Sequence, residues 1–133
     1  MSVKGGAAPE RWHAVGPVEA GAGGEWCAEV QVAPDSAWFA GHFPGDPVLP
    51  GIAQLGMVRE TACRVFGERF RLSGFSRIKF KKIIRPGDRL KITLVPRSDL
   101  PGTAAFRIDC EGDPACSGTL TYETTDPVAP GGV

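Results

Sequence analysis

Between Gly41 and Phe66 the chain reads GHFPGDPVLPGIAQLGMVRETACRVF, and no other stretch limits the fold as tightly. Its first part is too rich in proline and glycine for helix or strand. Pro44, Pro47 and Pro50 fix φ and remove backbone donors, while Gly45 and Gly51 permit turns closed to other residues. From Ile52 to Phe66 neither Gly nor Pro occurs except Gly56, and the apolar content suits about four helical turns, with Gly67 as the stop. A rigid loop thus delivers one histidine, His42, beside the start of a buried helix. That arrangement reads as a site.

The 133 residues suffice for one domain with a modest core. Residues 1–10 and 125–133 read as disordered tails flanking a single domain over 11–124. The formal net charge is zero, so overall charge implies no nucleic-acid partner. No apolar run has transmembrane length and the first ten residues, MSVKGGAAPE, have no apolar core, so the expectation is no membrane and a cytoplasmic location. Cys27, Cys63, Cys110 and Cys116 form no CxxC pair and read as reduced, buried thiols rather than a metal or disulfide framework.

In EWCAEVQV at 25–32, Trp26, Ala28, Val30 and Val32 alternate with polar residues and Cys27, the period of a half-buried strand. Asp35 or Ser36 is placed to cap a short helical turn containing Trp38 and Phe39. His13, beside Trp12, reads as a surface or packing histidine. Strand signal resumes from Phe70 to Leu94, where Arg77, Lys79 and Lys81 alternate with Ile78 and Phe80, placing bases outward and apolar groups inward. The doublets Lys81-Lys82 and Ile83-Ile84 suggest a bulge, and Pro86-Gly87-Asp88 a turn. A last pair, Ala104–Cys110 and Ser117–Glu123, straddles Gly112-Asp113-Pro114. One helix among five or six mostly antiparallel strands is an α+β layer arrangement.

GHFPGDPVLPG followed by an apolar helix resembles the active-site segment of the bacterial β-hydroxyacyl-acyl-carrier-protein dehydratases, and Ala53-Gln54-Leu55 leans toward the shorter aryl-polyene type. RIKFKKIIRPGDRLKITL at 77–94 resembles the same family's strand–PGD–strand hairpin, and the likeness runs more weakly from about Glu25 to Glu123. The resemblance implies a hot-dog fold, a curved antiparallel sheet wrapped around one long central helix. It also implies removal of water from a 3-hydroxyacyl thioester in fatty-acid or polyene biosynthesis. The substrate partner would be an acyl carrier protein bearing a phosphopantetheine-linked acyl chain, and the protein a homodimer or higher homo-oligomer with its site built across two chains. No metal or bound cofactor is implied. His42 matches the family's catalytic histidine, and Gly51 the helix-start glycine whose N–H meets the thioester carbonyl. Phe43 and Gly56 fall beside the substrate.

The chemistry needs a base for the α-proton, donors for the charge developing on the thioester oxygen, and an acid for the departing hydroxyl. Neutral imidazole and helix N-terminal N–H groups serve the first two. The third is missing, because the family's Glu or Asp five residues past the helix-start glycine is Gly56 here. Glu60, four residues on, leans back over that position, or else pairs with Arg64 along the helix. Gln54 lies on the opposite side of the helix from Gly56 and is a poor substitute donor by this geometry. A histidine that merely pins the loop is the alternative for His42.

Nine bases and one acid, Asp88, lie between Arg69 and Lys91. They read either as a solvated strand face or as a docking rim for an acidic carrier, with Lys79, Lys81 and Arg85 as its contacts. Stacking platforms for nucleic acid are absent from this run. Two rivals to a dehydratase stay open: a hot-dog thioesterase using a carboxylate such as Glu60, and a non-catalytic acyl-carrier or acyl-chain binding module that has lost the acid.

Overall fold

Strand and helix periods in the sequence translate directly into one sheet and one helix. The computed structural model describes residues 13–33, 36, 39 and 48–124. Its elements are β1 (Ala14–Val15), β2 (Glu19–Ala20), β3 (Trp26–Gln31), α1 (Gly51–Phe66), β4 (Phe70–Phe80), β5 (Leu90–Pro96), β6 (Thr103–Cys110) and β7 (Asp113–Thr124). The strands form one antiparallel sheet in the order β1-β3-β5-β6-β7-β4, with β2 also on β3. Five strands are long. The other two are the two-residue β1 and β2, too short to register as a period in the sequence.

The helix is seated by two adjacent rows at i,i+4 spacing. Ala53, Met57 and Thr61 form one, and Gln54, Val58 and Ala62 the other, all buried. They meet the inward faces of the strands, where Ile92, Leu94, Ile108 and Leu120 are fully buried. Gly67 ends the helix with φ 88°, in the left-handed region open to glycine, and donates its N–H to the Cys63 carbonyl at 2.8 Å. Arg64 stands in the last turn, where a cation suits the negative end of the helix dipole. The curved sheet around one helix is the architecture implied by the resemblance.

Three local expectations need correction. The bulge lies earlier than the Lys81–Ile84 doublets, with register shifts between Leu72 and Gly74 and between Ser76 and Lys79. Arg77 takes φ 55° within the second irregularity, which breaks the simple in–out alternation. Phe80 is consequently not an inward residue: it is 53% exposed and lies against the helix start. Asp113 and Pro114 belong to β7 rather than to a loop. Glu111 and Gly112, at φ 51° and 87°, make the tight two-residue turn.

Of the short turn expected near residue 36, Phe39 is buried and its N–H bonds the Ser36 carbonyl, while Asp35 and Trp38 lie outside the described residues. Both proposed tails lie outside them too. Cys110 and Cys116 are buried free thiols, and Cys27 and Cys63 are half-buried free thiols. Burial pushes the Cys110 and Cys116 thiols up to about 11, with a bond from Cys110 Sγ to Asp88 Oδ2 adding to the first.

Candidate active site at the helix N-terminus

Proline at the helix entrance sets the chemistry of this end. Pro50 is the N-cap and contributes no side-chain hydrogen bond, and the first turn carries no acid. The Pro50 carbonyl accepts from Ala53 and Gln54, at 3.1 and 3.2 Å. Among the described residues, the N–H groups of Gly51 and Ile52 have no partner. The positive end of a 16-residue helix is therefore left open to an anionic or partly anionic oxygen.

A cleft of about 490 Å³ opens at this point. Leu49, Pro50 and Gly51 form one wall, and Phe80, Lys81 and Ile83 the other. The walls are held by backbone bonds: Leu49 N–H to Ile84 O at 2.8 Å, and Lys81 N–H to Ala115 O at 2.7 Å. Gly51 lets the Phe80 ring approach the helix start closely. A Cβ there would lie 2.8 Å from Cζ of Phe80. Phe80 and Ile83, 53% and 56% exposed, give the cleft an apolar lip.

Gln54 closes the cleft from the helix side and is 4% exposed. Its Nε2 donates to the Leu49 carbonyl at 3.3 Å, which fixes the orientation of the amide. Its Oε1 is buried and has no hydrogen-bond partner among the described residues. An orphaned acceptor of this kind costs about 1–3 kcal/mol. Sequence reasoning treated Gln54 as a weak candidate donor and missed the acceptor; no sequence signal marks it, since the orphan arises from tertiary burial.

Gly56 is exposed, and an added Cβ would meet nothing within 4 Å. Ile52, one turn earlier on the same face, is 75% exposed. Glu60 is engaged elsewhere. Its Oε1 lies 3.0 Å from Nε2 of His13, and its Oε2 accepts from Nη2 of Arg64 at 3.1 Å. Arg64 Nη1 donates in turn to the carbonyls of Val15 and Gly16, at 2.6 and 3.2 Å. The i,i+4 pair with Arg64 is thus present, and His13 is a buried packing histidine that joins the helix to the start of β1. Both carboxylate oxygens of Glu60 serve this strap.

The structure brings Gly51, Gln54 and Phe80 together and leaves Glu60 on the strap. His42 and Phe43 lie outside the described residues. Lys79 and Lys81 join Arg77 and Arg107 around a second, shallow cleft on the outer sheet face, and Lys81 also borders the helix-start cleft. Arg85 sits instead in the turn whose backbone N–H bonds Asp88, at 2.8 Å. Lys82 is held by Asp113 at 3.2 Å, a bond that raises its ammonium above the ordinary lysine range. Among the described residues no cluster of His, Cys, Asp or Glu could hold a metal ion, and no helix is long and apolar enough to cross a membrane.

Comparison with known proteins follows the same lines. The family model for ApeI dehydratase, described as ApeI-like, matches residues 19–119. The 3-hydroxyacyl-[acyl-carrier-protein] dehydratase FabZ of Latilactobacillus sakei is 36% identical over 104 residues, covering 71% of this chain and 74% of that protein. Among solved structures, the dehydratase heterocomplex ApeI:P from Xenorhabdus doucetiae superposes with a TM-score of 0.71 at 27% identity, over 82% of this chain and 96% of that one. An (R)-hydratase from A. caviae, at 18% identity and TM-score 0.60 over 80% and 97% of the two chains, shares the hot-dog fold.

Proposed function

The chain belongs to the ApeI-like dehydratase family, and on that premise we propose that it removes water from a 3-hydroxyacyl thioester presented by an acyl carrier protein, in fatty-acid or polyene biosynthesis. The observation that carries this reading is the uncapped helix start at Gly51, opening into an apolar cleft. The thioester carbonyl oxygen gains negative charge as the α-proton leaves, and the N–H groups of Gly51 and Ile52, unpartnered among the described residues, stabilise it without reorganising. His42, matched by the GHFPG motif, is the base. Phe43, the next residue of the motif, serves substrate binding.

Residue 56 supplies no proton, so the α-proton taken up by His42 is the one returned to the departing hydroxide, which leaves as water. Exposed Ile52 beside Gly56 supports a second copy of the chain covering that face of the helix, consistent with a dimer whose site spans two chains. The basic outer face with Lys79 and Lys81 suits the acidic carrier, and Lys81 links it to the helix-start cleft.

A non-catalytic binding module is the second reading, and the bare helix face at Gly56 is what favours it. The thioesterase alternative needs a carboxylate free to activate water, and Glu60 is already committed to His13 and Arg64. The test is a 3-hydroxyacyl-carrier substrate followed by the rise of conjugated enoyl-thioester absorbance, for wild type and His42→Ala. The reading predicts turnover by wild type and a loss of about 10²–10⁴-fold in the variant. A binding module would show none in either.

A further inference from the structure

A donor and an orphaned acceptor share the wall of one cleft. The Gly51 N–H suits an acceptor on a ligand, whereas Gln54 Oε1 can be satisfied only by a donor. The Leu49 carbonyl holds the amide by its nitrogen, so the oxygen is the end left unpaired. Both groups are satisfied by a unit that carries an acceptor for the Gly51 N–H and a donor for Gln54 Oε1. A 3-hydroxyacyl thioester is such a unit, with its acceptor at the first carbon and a hydroxyl donor at the third. Leu49, Pro50, Phe80 and Ile83 offer no side-chain hydrogen bond; of the two lysines that also line the cleft, Lys82 is held by Asp113 and the Cys110 carbonyl, and neither Lys81 nor Lys82 bonds Gln54 Oε1.

We propose that Gln54 is a specificity residue whose Oε1 accepts the hydrogen bond of the substrate's 3-hydroxyl group; this rests on the dehydratase reading above. Saturated acyl chains and the enoyl product lack that donor and leave Oε1 orphaned. Gln54 therefore favours substrate over both, and loss of the hydroxyl in the reaction releases the product. Gln54 transfers no proton. It positions the carbon from which hydroxide departs.

The test uses two pantetheine amides of equal chain length, one with a 3-hydroxyacyl and one with a plain acyl group. The amide in place of the thioester blocks turnover, and Kd is read by calorimetry. Wild type is expected to prefer the hydroxylated compound by about tenfold. Gln54→Met, similar in length and without the acceptor, is expected to lose the preference between the two compounds. If Gln54→Met does not fold, Gln54→Asn, with the amide withdrawn by one methylene, is expected to show the same loss. Equal binding of both compounds by wild type, or a preference that survives in the variant, overturns the proposal alone. Binding of neither compound overturns the dehydratase reading and this proposal with it.

Discussion

Nε2 of His13 lies 3.0 Å from Oε1 of Glu60, tying the residue just before β1 to the middle of the central helix. The imidazole is almost fully enclosed, while Glu60 keeps 26% of its side-chain surface and uses its other oxygen for Arg64. Both oxygens of the Glu60 carboxylate are thereby engaged. The strap gives Glu60 a structural role.

Glu60→Gln is therefore expected to lower folding stability by about 1 kcal/mol, since it weakens a part-buried ion pair. Turnover should fall by less than about tenfold, against the 10²–10⁴-fold expected for loss of a general acid. Urea denaturation and steady-state kinetics on the same preparation read both. A hundredfold loss at unchanged stability would make Glu60 the acid after all.

Gly51→Ala should separate folding from ligand binding. The new Cβ would meet the far end of a half-exposed Phe80 ring, which can swing aside, so stability should change by less than about 1 kcal/mol. The cleft narrows at its entrance, and affinity for an acyl-pantetheine should fall severalfold. The double variant Gly51→Ala with Phe80→Ala should recover part of it. Unchanged affinity in Gly51→Ala would place the ligand elsewhere.

Charge reversal on the outer sheet face addresses the carrier. Lys79→Glu with Lys81→Glu should weaken carrier binding by about tenfold at low salt and flatten its salt dependence, because exposed attraction is screened. Arg85→Glu, in the turn outside that cleft, should do less. Equal affinity for all variants at low salt would leave the bases as a solvated face.

Thiol reactivity follows burial. At about pH 8, iodoacetamide should label Cys27 and Cys63 well before Cys110 and Cys116, whose thiols burial holds near 11. Peptide mapping after timed quenching reads the order. Early labelling of Cys116 would mean that the β7 end of the sheet opens readily.

Much of this was legible in the chain. Pro50 and Gly67 bracketed the helix, because a fixed φ at one end and a left-handed φ at the other are local requirements. Alternation, also a local property, found β3 and β5. The bulge was displaced because Arg77 adopts φ 55°, a backbone choice made by the pairing of β4 with β7 and not by the residue itself. At the site, Gly51 and its neighbours were readable from the motif. The His13–Glu60 contact spans 47 residues, and the orphaned oxygen of Gln54 depends on everything packed around it. Neither leaves a trace in local spacing.

Dehydratase action itself is tested most directly by intact-mass spectrometry of a 3-hydroxyacyl carrier protein after incubation with the chain. The account predicts that the acyl-carrier mass falls by one water with wild type, that the thioester survives, and that His42→Ala leaves the mass unchanged. Release of the whole acyl group, or an unchanged mass with wild type, would contradict it.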